Sequence, residues 1–369
     1  MRGRLLPIGA LVTAMLLTAI VSYLSLASQA TSLKGQVRSP TQTAPRSPAL
    51  DLHGNLYFVQ SGAIYRLASA RFEQVTPREG WTQVTAIPKG GGLLAVKRVG
   101  FYSDVYRLDS SGHVSGQLTH NAAPPRADPG AFHWSFYPQA TPDGGSVFMS
   151  YDSAKEFSYQ VDLAIWEIPI SGSRSQWRQW TFPNNYTGGD IQPLPLASGA
   201  ILYVGFDQDD NGHKAAQILY LPRRFAQPAP LTKLSDDCSQ PALSADGTTL
   251  AMICTYEKES SQLVLADFDG KSLSNQRVVP TTAFVTEPAW APDGSGIAYL
   301  APAVADHPFQ LWWLPKAVYT PSSPSPNPSL SPAQRAPATP AKRPPAPAMP
   351  VQITTDLAVD ATSPIGWST

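Results

Sequence analysis

The sequence predicts an all-β protein, a six-bladed β-propeller of four-stranded antiparallel blades, and three observations predict it. A hairpin-forming segment recurs along the chain, a second pair of strands follows each copy, and the two chain ends hold complementary parts of one blade. The recurring segment is clearest in PQATPDGGSVFMSY (138 to 151), PALSADGTTLAMICTY (241 to 256) and EPAWAPDGSGIAYLAP (287 to 302). In each, a proline opens a short strand, Asp-Gly makes the turn, and an alternating apolar strand follows. Asp-Gly is a strong hairpin signal, because a two-residue turn needs positive φ and glycine supplies it at no steric cost. Residues 84 to 98 and 193 to 206 are weaker copies.

The second strand pairs read DVYRLD and GQLTHN, AIWEIPI and WRQWTF, QILYLP and APLTKL, QLVLADFDG and QRVVPT, and FQLWWLP and VQITTD. The ends then complete the count. The terminal DATSPIGWST reads as a first blade strand that stops where its turn belongs. The stretch beginning LDLHGNLYFVQ reads as a blade lacking that strand, with His53-Gly54 in place of the turn. The C-terminal strand therefore closes the ring by pairing with the N-terminal blade, which removes an open sheet edge.

Composition agrees with this architecture. The chain has 369 residues, 43% of them apolar and 15% charged, enough to bury a large core. Its 37 prolines weigh against long helices, because each ring removes a backbone donor and clashes one turn back. Arg2 and Arg4 precede an apolar run from Leu5 to Leu26 and the small-residue sequence LASQA, so residues 1–30 are expected to be a signal peptide or a membrane anchor. Either one exports the rest of the chain. Residues 31–49 form a Pro/Ser/Thr linker, 50–369 the propeller, and 319–350 a disordered proline-rich insert in the last full blade.

The PxWxPDG pattern in EPAWAPDGSGIAYL, with the later QITTD and PLTKL segments, resembles the TolB-type six-bladed propellers of bacterial envelope proteins. The resemblance spans roughly residues 50 to 318 and 351 to 369. Blades 2 and 4 depart from it by lacking the Pro-Asp-Gly turn, and the amino-terminal domain that accompanies the propeller in TolB is not expected here. It implies a cell-envelope setting and, for function, a scaffold or recognition role.

Catalytic signatures are missing from the sequence: it contains no GxSxG elbow, HExxH helix, CxxC pair or phosphate-cradling glycine loop. The expectation is therefore a non-enzyme without a cofactor. The alternatives are a metal-dependent propeller hydrolase or lyase, and a sensor of small ligands or glycans. Asp207, Asp209 and Asn211, followed by Gly212, match the first oxygen ligands and turn glycine of a calcium loop, but Ile218 stands where the closing carboxylate belongs. Cys238 and Cys254 lie almost symmetrically about the Asp246-Gly247 turn and are expected to form a disulfide in an exported protein.

Formal net charge is zero, which excludes the basic excess of a nucleic-acid binder. That zero is uneven. Residues 1–49 and 319–350 carry +8 without an acid, leaving −8 on the rest. In a four-stranded blade, strands a to d, the a–b and c–d connections lie at one end of the ring and the b–c and d–a connections at the other. Sixteen acids fall at the second end against about six bases. A basic tether and insert at the first end would favour an anionic membrane surface. The acidic end is expected to bind a protein or peptide partner in the envelope, with Asp190, Asp236, Asp237, Glu287 and Asp360 bordering the channel mouth. The chain is expected to act as a monomer that is membrane-anchored facing outward, secreted or periplasmic.

Overall fold

Twenty-four strands form six sheets of four in the computed structural model, which describes residues 52–124, 129–152, 162–183, 187–208, 212–256, 260–320 and 349–369. The predicted signal or anchor, the linker and most of the proline-rich insert lie outside the described residues. Among those described, no helix is long and apolar enough to cross a membrane.

The first sheet contains β1 (Asn55–Gln60), β2 (Ala63–Ala68) and β3 (Arg71–Gln74). Blade 2 runs outward from β4 (Trp81–Ala86) through β5 (Leu93–Val99) and β6 (Tyr102–Leu108) to β7 (Val114–Gln117). Blade 3 has β8 (Ser135–Ala140), β9 (Ser146–Tyr151), β10 (Ala164–Pro169) and β11 (Arg178–Gln179). Blade 4 has β12 (Asp190–Pro195), β13 (Ile201–Gln208), β14 (Lys214–Leu221) and β15 (Ala229–Pro230). Blade 5 has β16 (Cys238–Leu243), β17 (Thr249–Cys254), β18 (Gln262–Phe268) and β19 (Leu273–Val278). Blade 6 has β20 (Thr286–Trp290), β21 (Gly296–Pro302), β22 (Phe309–Pro315) and β23 (Val351–Gln352).

The last strand, β24 (Gly366–Ser368), joins the first sheet antiparallel to β1, pairing Leu56 with Trp367 and Asn55 with Ser368. Trp367 Nε1 also donates to the His53 carbonyl at 3.0 Å. Gly54, at φ +90°, lies so close to the Ser368 carbonyl that a β-carbon there would collide with it. The predicted closure thus holds: each innermost strand packs on the next, and β24 returns to β4.

Both faces of every blade are buried, which explains the nearly continuous apolar strands. In β17, Leu250, Met252 and Cys254 pack with Val204 and Ile218 of blade 4, while Ala251 and Ile253 pack with Ile297 and Tyr299 of blade 6. The core is accordingly six clusters, one at each blade junction. Each fully buried Leu or Ile contributes roughly 2 kcal/mol there.

A side-chain latch repeats at the outer strands. Thr76, Thr119, Thr181, Thr232 and Thr354 each accept, through Oγ1, the N–H of Ile64, Val105, Ile165, Ile218 and Leu311 on the third strand, at 2.9 to 3.1 Å. In four of the five blades a glutamine two residues earlier (Gln74, Gln117, Gln179 or Gln352) donates to that threonine's own carbonyl. Blade 5 keeps the backbone bond of this corner, Val279 N–H to the Leu263 carbonyl, but has Pro280 in the threonine position and no such latch.

Two local expectations are corrected. The Asp-Gly turns are longer than two residues: Gly144, Gly247 and Gly294, at φ +79°, +73° and +69°, donate back to Thr141, Ser244 and Ala291. The extra length lets each aspartate accept hydrogen bonds from within its own turn, as Asp143 does from Thr141 Oγ1 and the Gly145 N–H. These bonds hold Asp143, Asp246 and Asp293 below the usual carboxylate range. Nor does the proline open its strand. Pro138, Pro241 and Pro288 lie inside β8, β16 and β20, next to a bulge that removes the ladder bond a proline cannot make.

Candidate functional site

The six innermost strands enclose a channel cavity of about 220 Å³, lined from every blade, Thr85, Tyr137, Gln192, Gln240, Glu287 and Ile365 among the lining residues. Its wall is shaped by the bulges. The residues immediately before the prolines, Tyr137, Gln192, Gln240 and Glu287, all have positive φ, from +50° to +54°. Left-handed backbone at non-glycine residues costs on the order of 1–3 kcal/mol and persists only where neighbours enforce it.

The neighbours here are side chains of the preceding blade. Gln83 Oε1 accepts the Tyr137 N–H at 2.6 Å, Gln192 Oε1 the Gln240 N–H at 2.8 Å, and Gln240 Oε1 the Glu287 N–H at 2.8 Å. Gln240 Nε2 also donates to Thr286 Oγ1 at 2.8 Å. Carboxamides thus form a partial belt that joins blade 2 to 3, 4 to 5 and 5 to 6, broken at Tyr137 of blade 3, and each satisfies a donor that a bulge set free.

Glu287 interrupts the belt. The corresponding donor in the composite blade, the Ser363 N–H, binds the Asp360 carbonyl at 3.1 Å instead. Among the described residues no donor reaches the Glu287 carboxylate, although the residue is only 6% exposed. Burial, and then the negative charge of Asp360, push its pKa up to about 8. Tyr137 is pushed up to about 12 by burial and then by Glu287 and Asp360.

The other acids named from the sequence sit elsewhere. Asp190 is not in the cavity wall: it is buried at the blade 3–4 junction, with its N–H on the Leu163 carbonyl at 2.6 Å and its carboxylate bonded by Thr181. Burial pushes it up to about 7, and the Thr181 bond opposes that. Asp237 Oδ1 accepts the Ala216 N–H at 2.7 Å, tying blade 5 to blade 4. Asp236 borders a separate surface cleft with Lys233 and Gln276. Asp360 is half-buried, its Oδ1 accepting from Thr362 N and Oγ1 at 3.1 and 2.8 Å. Of the five, Glu287 alone lines the cavity.

Glu79, Asp207, Asp306 and Asp356 are exposed at this end of the ring. In the calcium-like loop, Asp207 Oδ1 accepts the adjacent Gln208 N–H at 2.8 Å, while Asp209 and Asn211 lie outside the described residues. Among the described residues no three His, Cys, Asp or Glu side chains gather as a metal site. Cys238 and Cys254 face each other across β16 and β17, with Cα atoms 4.1 Å and sulfurs 2.07 Å apart.

Sequence reasoning missed the belt itself. Its trace was present in FYP, IQP, SQP and TEP, where a polar or aromatic residue precedes each proline.

The fold and its channel define a six-bladed β-propeller. Superposition on TolB from Acinetobacter baumannii covers 72% of this chain and 62% of that one, at 15% identity and a TM-score of 0.53. A TolB homologue from Agrobacterium tumefaciens is matched over its whole length and 87% of this chain, at 14% identity and a TM-score of 0.52. The propeller also superposes on the tricorn protease over 74% of this chain but 26% of that one, at 15% identity and a TM-score of 0.50. No protein-family profile and no curated protein sequence matches the chain.

Proposed function

We propose that this chain is an exported, non-catalytic recognition module of the bacterial cell envelope, binding a protein or peptide partner at the b–c/d–a end of its propeller. The observation that carries the reading is the channel mouth. There Glu287 is held against the cavity without a donor, Asp360 stands beside it, and exposed acids surround the same end of the ring. Such an arrangement would attract a basic segment and bind it in a salt-dependent way. The likeness to TolB chains supports the envelope setting.

The test is capture from envelope extract by the full chain, comparing the native protein with Glu287→Gln/Asp360→Asn. The expected result is a partner retained at low salt by the native protein and lost by the variant. Equal capture by both, or none by either, overturns the reading.

Export is further supported by the opposed cysteines, whose placement suits an oxidising compartment. Thiol counting on the denatured, unreduced protein should find no reactive thiol. Two would remove this support.

A further inference from the structure

We propose that the channel cavity beside Glu287 binds the ammonium group of an aliphatic amine. The site goes beyond the partner-binding reading and stands without it, because a free amine would use it with no partner present.

The belt itself has no need of a charge at this position. At the same station, blades 2, 4 and 5 use a glutamine, and its carboxamide satisfies the next bulge. Blade 6 has a carboxylate there, yet the donor it would serve is already bound to the Asp360 carbonyl. When ionised, the Glu287 carboxylate therefore has no structural partner, and holding that charge buried and uncompensated is costly. A bound cation would offset that cost.

The cavity then selects the kind of cation. Among the described residues that line it, Glu287 is the one charged side chain, and no Lys, Arg or His is present to neutralise it. Asp360 adds negative potential. The remaining wall is about half polar, with Thr85, Gln139, Gln192 and Gln240, and half apolar, with proline rings, the Tyr137 ring, and the indoles of Trp290 and Trp367 toward the opposite end of the channel. Both indole N–H groups are already committed, Trp290 to the Ala242 carbonyl and Trp367 to the His53 carbonyl. The indoles therefore offer apolar faces and edges, which suit an alkyl stem, with a carboxylate left for its charged head. About 220 Å³ accommodates a butylammonium-sized group in place of roughly seven waters.

The probe is n-butylammonium chloride titrated into the full chain and followed by calorimetry and ligand-observed NMR, with n-butanol as the neutral shape control. Saturable millimolar binding of the ammonium, with the alcohol at least about tenfold weaker, is expected. Glu287→Gln should fold, since glutamine occupies this station in three other blades, and should weaken ammonium binding by about tenfold or more. No saturable binding, equal binding of the alcohol, or an unchanged affinity in a folded Glu287→Gln protein overturns the proposal. Should that variant fail to fold, the ammonium-to-alcohol comparison on the native chain still decides.

Two sources of the ammonium are separated by a further pair of probes, a blocked Gly-Lys-Gly peptide and its norleucine counterpart. Tighter binding of the lysine peptide than of butylammonium supports the site with a partner's side chain as the source. Equal or weaker binding supports it with free alkylamines as the source.

Discussion

Asp190 and Glu287 both stand at the beginning of an innermost strand, and both are buried acids, yet only one is finished by the protein around it. Asp190 terminates a relay: the Ile165 N–H donates to Thr181 Oγ1, and the Thr181 hydroxyl serves Asp190. Asp104 ends the same relay in blade 2, accepting from Thr119 Oγ1 at 2.8 Å and from the Asn121 N–H at 2.9 Å. Glu287 ends nothing, and its carboxylate meets a cavity. Burial alone therefore does not mark a binding group. What distinguishes the two is whether the fold supplies a donor.

Stability as a function of pH should separate the two acids most strongly. Each has a folded-state pKa above its unfolded value, so the folded chain holds the proton more tightly. The associated stability is complete below about pH 4 and is lost as pH rises through about 7 for Asp190 and about 8 for Glu287. Denaturant titrations of Glu287→Gln should therefore match the native chain at pH 4 and exceed it by up to about 4 kcal/mol at pH 9. Asp190→Asn should give a smaller gain that is already complete at pH 8. Parallel curves for native and variant proteins would erase the distinction.

Next in size is Thr181→Val, which removes the relay hydroxyl while keeping the shape. It leaves the Ile165 N–H and the Asp190 carboxylate unpaired in a buried junction, at a cost of about 2 kcal/mol at neutral pH. Butylammonium affinity should not change, since the junction lies outside the cavity wall. Asp360→Asn should do least. The amide oxygen can keep the Thr362 contacts, so the fold should persist, while loss of the charge moves the Glu287 transition down in pH.

Much of the ring was legible from the chain alone. EPAWAPDGSGIAYL and its copies marked the inner hairpins, and DATSPIGWST with LDLHGNLYFVQ marked the composite blade, because turn chemistry and apolar alternation are local signals. The site was less legible. Strand order tells at which end of the ring a loop lies, but not how far from the axis a side chain sits. It therefore placed Asp190, Asp236 and Asp237 at the channel mouth beside Glu287. The same reasoning omitted the turn aspartates, Asp143, Asp246 and Asp293, which belong to the opposite end and moderate the predicted charge asymmetry. The left-handed residue before each proline could not be read either, because its conformation depends on a donor freed in one blade and an acceptor supplied by its neighbour.

The join between β1 and β24 also bears on timing. The Trp367 indole reaches the His53 carbonyl across 314 residues of sequence, and β24 is the innermost strand of its sheet. The channel has no complete wall until β24 has joined β1. Until then β1 carries an unpaired edge, and the chain pays the entropy of closing its longest loop at the final step. The channel wall is therefore completed by the pairing of β24 with β1, and the cavity first exists once that pairing forms.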